Sequence, residues 1–232
     1  MSEYCRVGPD HVQLTYRSWG DPNSAPSPVV LLHGLGGDTS TWDDVAPTLA
    51  AGRRVFSYDA RGHGRSDRPG TYSFELMRDD LLGFLDALEL PRVDLVGHSM
   101  GGVVSYLFAM AHPDRVGRVV LEETPPPFPR PDVVVPERPA DAETLPYDWK
   151  AVAAIRAQVR TPPATWLASL PDIEAPTLVI AGGPDSQVPQ DRIADMAAAM
   201  PPATLITIDA GHLVHTMRPD DFVAAVADHL DG

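Results

Sequence analysis

The stretch Val93-Asp94-Leu95-Val96-Gly97-His98-Ser99-Met100-Gly101-Gly102 decides how the chain is read. An apolar run of strand type ends at Val96, and a helical apolar pattern begins at Val103 and continues through Tyr106, Leu107 and Met110. Between them, one serine has glycine two positions before it and two positions after it. A turn that tight strains the serine backbone and lifts the hydroxyl above the strand end. A Cβ at either glycine would collide with the adjoining strand or helix. The helix starts at the serine, so its first amides and the positive end of its dipole face whatever the hydroxyl attacks. Gly-x-Ser-x-Gly following a strand and opening a helix marks Ser99 as the expected nucleophile.

Working outward, the same alternation recurs. Val29-Val30-Leu31-Leu32 is a short continuous apolar run that ends in His33-Gly34-Leu35-Gly36-Gly37. Runs of this kind suit strands covered on both faces of a parallel sheet. Thr39 and Ser40 offer caps for a helix through Trp42, Val45 and Leu49. Residues 54–58 form the next strand and lead into Asp59-Ala60-Arg61-Gly62-His63-Gly64-Arg65-Ser66-Asp67. Ser73 caps an amphipathic helix with Phe74, Met77, Leu81, Leu85 and Leu88 on its apolar face. Downstream, strands are expected at 116–121, 177–181 and 204–208, and helices at 191–200 and 222–230. Residues 12–19 alternate apolar and polar, as an antiparallel edge strand does.

Residues 125–163 hold ten prolines, too many for packed helix or central sheet; only 149–159 read as helix there. The organisation expected is therefore a core of 1–124 and 169–232 with a short Pro-rich cap at 125–168. Strands alternating with helices define an α/β chain with a mostly parallel sheet and helices on both faces, whose chemistry collects at the carboxyl ends of the strands.

A chain of 232 residues can bury one sizeable core. The net charge of −14 argues against nucleic acid or an anionic membrane surface as partner, since both select clustered Lys and Arg. Cys5 is the single cysteine, so no internal disulfide and no Cys-x-x-Cys metal spacing exist. The start Met1-Ser2-Glu3-Tyr4-Cys5-Arg6 lacks the basic-then-apolar pattern of a secretory leader, and no apolar run approaches the ~20 residues that span a bilayer. A cytoplasmic location is expected.

Five motifs in order resemble the α/β-hydrolase family: His33-Gly34-Leu35-Gly36-Gly37, Asp59-x-Arg61-Gly62-His63-Gly64-x-Ser66-Asp67, Gly97-His98-Ser99-Met100-Gly101, Gly182-x-x-Asp185-x-x-Val188-Pro189 and Gly211-His212. The resemblance covers nearly the whole chain and implies the α/β-hydrolase fold. It implies that His212, among eight histidines, is the base that takes the Ser99 proton. For the acid that orients His212 it offers two positions. Asp185 follows the strand 177–181 and is preferred; Glu123, at the end of the preceding strand, is the alternative. Glu122 is expected to be a bystander. The backbone N–H groups of Leu35 and Met100 are expected to form the oxyanion hole. His33, His63 and His98 are read as structural, and His215 lacks the carboxylate set that a metal site needs.

In the cap, Phe128, Tyr147, Trp149 and Trp166 are candidates for walls of an apolar substrate pocket, with ordinary packing as the competing use. A short lid implies an open site for small or medium substrates. The expected activity is cofactor-free, metal-free hydrolysis of an ester, thioester or lactone of a small-molecule acyl substrate through an acyl-enzyme. The same triad also serves carbon–carbon bond hydrolases and acyl-transferring cyclases, and the fold also serves small-molecule receptors. Dehalogenases and epoxide hydrolases of this fold attack with Asp, against which Ser99 speaks.

Overall fold

Continuous apolar runs make strands that must be covered on both faces, and the chain builds its sheet from them. The structure, a computed structural model, describes residues 3–232. Met1 and Ser2, where the leader reading begins, lie outside the described residues. Strands β1 (Glu3–Val7), β2 (Val12–Trp19), β3 (Val29–Leu32), β4 (Val55–Tyr58), β5 (Val93–His98), β6 (Val116–Glu122), β7 (Thr177–Ala181) and β8 (Ala203–Thr207) form one sheet. Their order is β1-β2-β4-β3-β5-β6-β7-β8. β2 pairs antiparallel with β1 and with β4, and every pairing from β4 to β8 is parallel. Residues 12–19 are thus second from the edge, because Glu3–Val7 forms an outer strand that its polar sequence did not announce.

Alternation along each central strand sends successive side chains into two different cores. Val30, Leu32, Leu95, Val119, Leu121 and Val179 face one core. It is roofed by α2 (Phe74–Ala87), α3 (Met100–Ala111) and α6 (Gln190–Ala198). Val29, Leu31, Val96, Val120, Leu178 and Ile180 face the other, under α1 (Ala46–Leu49) and α8 (Pro219–Asp231). Each fully buried Val, Leu or Ile is worth about 1.5–3 kcal/mol. The helix expected over Thr39 to Leu49 is instead split. A 3-10 turn at Thr39–Trp42 is capped by Asp38, whose carboxylate accepts from Ser40 N at 2.8 Å, and α1 follows with Pro47 in its first turn. Ser73 caps α2 through Leu76 N at 3.1 Å.

From β6 to β7 the chain leaves the sheet. It carries α4 (Trp149–Arg160), capped by Asp148, and the short α5 (Ala164–Ala168). Helix α7 (Val214–Met217) follows β8 directly before α8. No helix among the described residues is long and apolar enough to cross a membrane.

One ion pair fixes the loop after β4. Arg61 forms a two-pronged pair with Asp80 on α2, with side chains 5% and 2% exposed. Removing one partner strands a buried charge, which costs about 3–5 kcal/mol. Asp80→Ala is therefore expected to lower the unfolding free energy by about that amount in urea titration. A change below about 1 kcal/mol, the range of an exposed pair, would contradict a buried staple.

Candidate active site

The site begins where β5 turns into α3. Ser99 takes a left-handed backbone with φ 51° and ψ −111°, a conformation that costs a non-glycine residue about 1–3 kcal/mol. What imposes it is the closeness of the helix to the strands. A Cβ on Gly97 would lie 2.5 Å from backbone atoms of Gly101 and Gly102, and one on Gly101 would lie 2.1 Å from the Leu32 carbonyl oxygen. Ser99 N donates to the Glu122 carbonyl at 2.9 Å, which ties the turn to the end of β6.

A cavity of about 770 Å³ opens over this turn, with Ser99, His98, Leu35 and His212 in its wall. His212 lies between β8 and α7, and its ring centroid is 4.8 Å from that of His98. Ser99 and His212 share the wall of this cavity without a direct hydrogen bond between them. His212 Nδ1 hydrogen-bonds to Glu123 Oε2 at 3.2 Å.

The carboxylate brought to His212 is that of Glu123, not Asp185. Glu123 is fully buried and has φ 47°, which breaks strand alternation right after β6. Its oxygens also accept from Gly182 N, from Ser186 Oγ and from Gln190 Nε2 at 3.1 Å. Burial pushes this carboxyl up, but the hydrogen bonds from His212, Ser186, Gln190 and Gly182 outweigh it and hold it below the ordinary range. Asp185 sits exposed in the cavity wall. The loop after β7 turns back on itself, Ser186 N donating to Gly183 O at 3.1 Å, so Ser186 rather than Asp185 faces the buried carboxylate.

The loop after β3 is set by His33. Its Nδ1–H donates to the Gly34 carbonyl at 2.8 Å, while Nε2 accepts from Ala60 N at 3.0 Å. Gly37 N also donates to Gly34 O, at 3.1 Å. In a planar trans peptide the next N–H points opposite to the carbonyl, so holding Gly34 C=O aims Leu35 N–H the other way. Met100 is the first residue of α3, where an N–H has no partner within the helix.

The four aromatic candidates do not line the cavity. Trp166 is wedged edge-on between Phe74 and Tyr106, with centroids at 5.6 and 6.4 Å. Tyr147 lies over Gly36 and His63, and Phe128 stacks under Arg192. Trp149, half-buried, opens α4. Aliphatic side chains, Val133, Val134, Val159, Val188 and Leu213, make the apolar wall instead, with Arg130 and Arg156 beside them. Val133 and Val134 stand in a Pro-rich stretch without periodic signal, whereas Val159 belongs to the expected helix and Val188 to the motif after β7.

Glu122, expected to be a bystander, is instead bound to His215. It is fully buried and accepts from both N and Nδ1 of His215, at 2.9 and 2.8 Å. His98, Glu122 and His215 bring one donor atom each within 4.8 Å of one another, the spacing of a loose metal triad. The three side chains are already hydrogen-bonded: His98 Nε2–H to the His212 carbonyl, and Glu122 to His215.

Residues 27–144 match the family model described as alpha/beta hydrolase fold. The chain belongs to the α/β-hydrolase family. Among solved structures it is similar to the enol-lactonase of Burkholderia xenovorans LB400, with a TM-score of 0.88 and 28% identity over 99% of this chain and 100% of that one. It is 28% identical to a mouse (Mus musculus) sn-1-specific diacylglycerol lipase over 87% of this chain and 80% of the lipase. It is 37% identical to a 2-hydroxymuconate semialdehyde hydrolase of Pseudomonas sp. (strain CF600), over 50% of this chain and 42% of that protein. These relatives are hydrolases.

Burial sets how stability responds to acid. It pushes His98 from an ordinary 6.5 down to about 4, against the pull of Glu122, and His63 down to about 3. Both are neutral in the fold, whereas the unfolded chain takes up protons near 6.5. Their contribution is complete above about 6.5 and is lost as pH falls toward 4 and 3, at up to about 1.4 kcal/mol per pH unit for each histidine. Urea unfolding between pH 7 and 5 should show this loss, with a shallower slope in His63→Gln. A flat profile over that window would contradict it.

Proposed function

We propose that the protein is a serine hydrolase acting on a carboxylic ester, thioester or lactone through an acyl-enzyme. In this reading Ser99 attacks the acyl carbon, and His212 takes its proton and returns it to the leaving group. Glu123 fixes the His212 ring with Nδ1 protonated and stabilises the imidazolium that forms. The N–H groups of Leu35 and Met100 receive the negative charge that develops on the carbonyl oxygen. Water then releases the acid by the same route in reverse. The observation that carries the reading is the Glu123–His212 hydrogen bond beside Ser99 on one cavity. It is supported by relatives whose names state lactonase and lipase activity.

The segment 125–168 is, on this reading, the lid. Its aliphatic wall of Val133, Val134 and Val159 suits the acyl or ring part of a small-molecule substrate.

Turnover of p-nitrophenyl butyrate checks the nucleophile. Ser99→Ala should fold normally and lose at least about 10³-fold in kcat, and a fluorophosphonate should label wild type at Ser99 with one-to-one stoichiometry. Unchanged turnover in Ser99→Ala would remove Ser99 from the chemistry. The acid is tested by a pair of variants. Glu123→Gln is expected to lose about 10²–10⁴-fold in kcat, because the amide favours the wrong tautomer of His212. Asp185→Asn should stay within about 3-fold of wild type, the range of a surface change outside the proton path. The reverse ranking would hand the acid role to Asp185.

A further inference from the structure

We propose that His98, Glu122, His215 and Thr41 are positioning residues that lock the His212 loop to the nucleophile turn. The inference rests on the reading above, in which His212 is the base.

His212 lies in a short irregular loop, a poor platform for a group that must be held to about 0.5 Å. The loop's own backbone gives it two anchors, Ala210 N and Gly211 N, both donating to the Gly182 carbonyl at 3.0 and 2.8 Å. Its other side is held by side chains. His98 Nε2–H donates to the His212 carbonyl at 2.8 Å. Since His98 immediately precedes Ser99, that one bond couples the backbone of the base to the turn that carries the nucleophile. The same imidazole lies against the loop after β3, where a Cβ on Gly34 would come within 2.6 Å of His98 Nδ1. One ring therefore touches all three parts of the proposed machinery.

Three residues beyond the base, Glu122 takes hold of His215. Its carboxylate receives the His215 backbone N–H at 2.9 Å and ring Nδ1–H at 2.8 Å, and Thr41 Oγ1 hydrogen-bonds to Nε2 at 2.7 Å. Glu122 and His215 are wholly buried, with Trp42 stacked on the His215 ring at 4.4 Å and Phe222 at 5.9 Å. A buried carboxylate is a poor stabiliser compared with apolar side chains of similar volume. What it supplies is direction. Glu123 grips the base ring, and its chain neighbour Glu122 grips the next turn, so two adjacent residues of one strand end hold the loop at both ends. Glu122, His215 and Thr41 act through the loop, whereas the His98 ring also packs against the His212 ring, 4.8 Å between centroids.

The test separates positioning from packing alone. Glu122→Gln and His98→Leu are expected to lower kcat about 10²-fold, the effect of roughly 1 Å of misplacement, with KM within about 2-fold. His98→Gln, which keeps a donor near Nε2, should recover most of the loss. Thr41→Val, nearly isosteric at a part-buried site, should give a smaller fall in kcat and reads the same pair if Glu122→Gln does not fold. In parallel, the downfield proton resonance of His212 Nδ1–H, assigned by its loss in Glu123→Gln, should broaden or shift in Glu122→Gln, His98→Leu and Thr41→Val and persist in His98→Gln. Unchanged kcat per folded molecule and an unchanged resonance in the variants that fold would overturn the proposal. If wild type shows no Ser99-dependent turnover, the functional reading fails, and the resonance still decides the positioning role.

Discussion

The close approach of α3 to β3 and β5 governs everything built at this rim of the sheet. Helix backbone passes so near the Leu32 carbonyl and Gly97 that only glycine fits at 97 and 101. With the helix pressed down there, the single residue between strand and helix has no relaxed conformation left, and Ser99 takes φ 51°. That strain, about 1–3 kcal/mol, is sustained by the packing of the two cores on either side of the sheet. The consequence is local and chemical. The hydroxyl stands in the cavity wall, and Met100 N–H opens the helix beside it.

The order of strands explains why remote residues converge. β3, β5, β6 and β7 lie side by side and parallel, so the loops after them share one edge. His33 with Leu35, Ser99, Glu122 with Glu123, and Gly182 with Ser186 stand at the carboxyl ends of four neighbouring strands. His212 arrives from β8, the outermost strand, whose exposed residues give it little grip. In the proposed mechanism the base would thus enter from an edge strand, and side chains would add to the backbone anchors of its loop. A glutamate pair on β6, two strands inward, is well placed to provide them.

Much of this was legible because the signals are local. A glycine-flanked serine between two periodicities, an apolar run ending in His-Gly and a helix with Ser73 at its start are each decided within a dozen residues. The outer strand was not, since Glu3–Val7 is polar and pairs only because β2 offers an edge. Nor was which carboxylate, that of Asp185 or of Glu123, reaches His212. It turns on a left-handed φ at Glu123 and on which residue of the loop after β7 faces inward, and neither leaves a mark in composition. The pocket was not legible either. Trp166 serves the core between Phe74 and Tyr106, while Val133, Val134, Val159 and Val188 reach the cavity.

Placing the carboxylate on β6 has a consequence for the loop after β7. When the acid sits in that loop, the loop's conformation is bound to the alignment of the base, and its sequence cannot vary freely. Here Glu123 reaches His212 from a strand end clamped by its own backbone bond to Ile180 O at 2.9 Å. Ser186 and Gln190 need only saturate the remaining lone pairs of Glu123. Asp185 is then released to the cavity wall, exposed and facing the same space as Arg130, Arg156 and Gln187. In the proposed mechanism, proton transfer would be governed from β6 and β8, while the loop after β7 would be left to meet the substrate. Chemistry and recognition would therefore be carried by different strands.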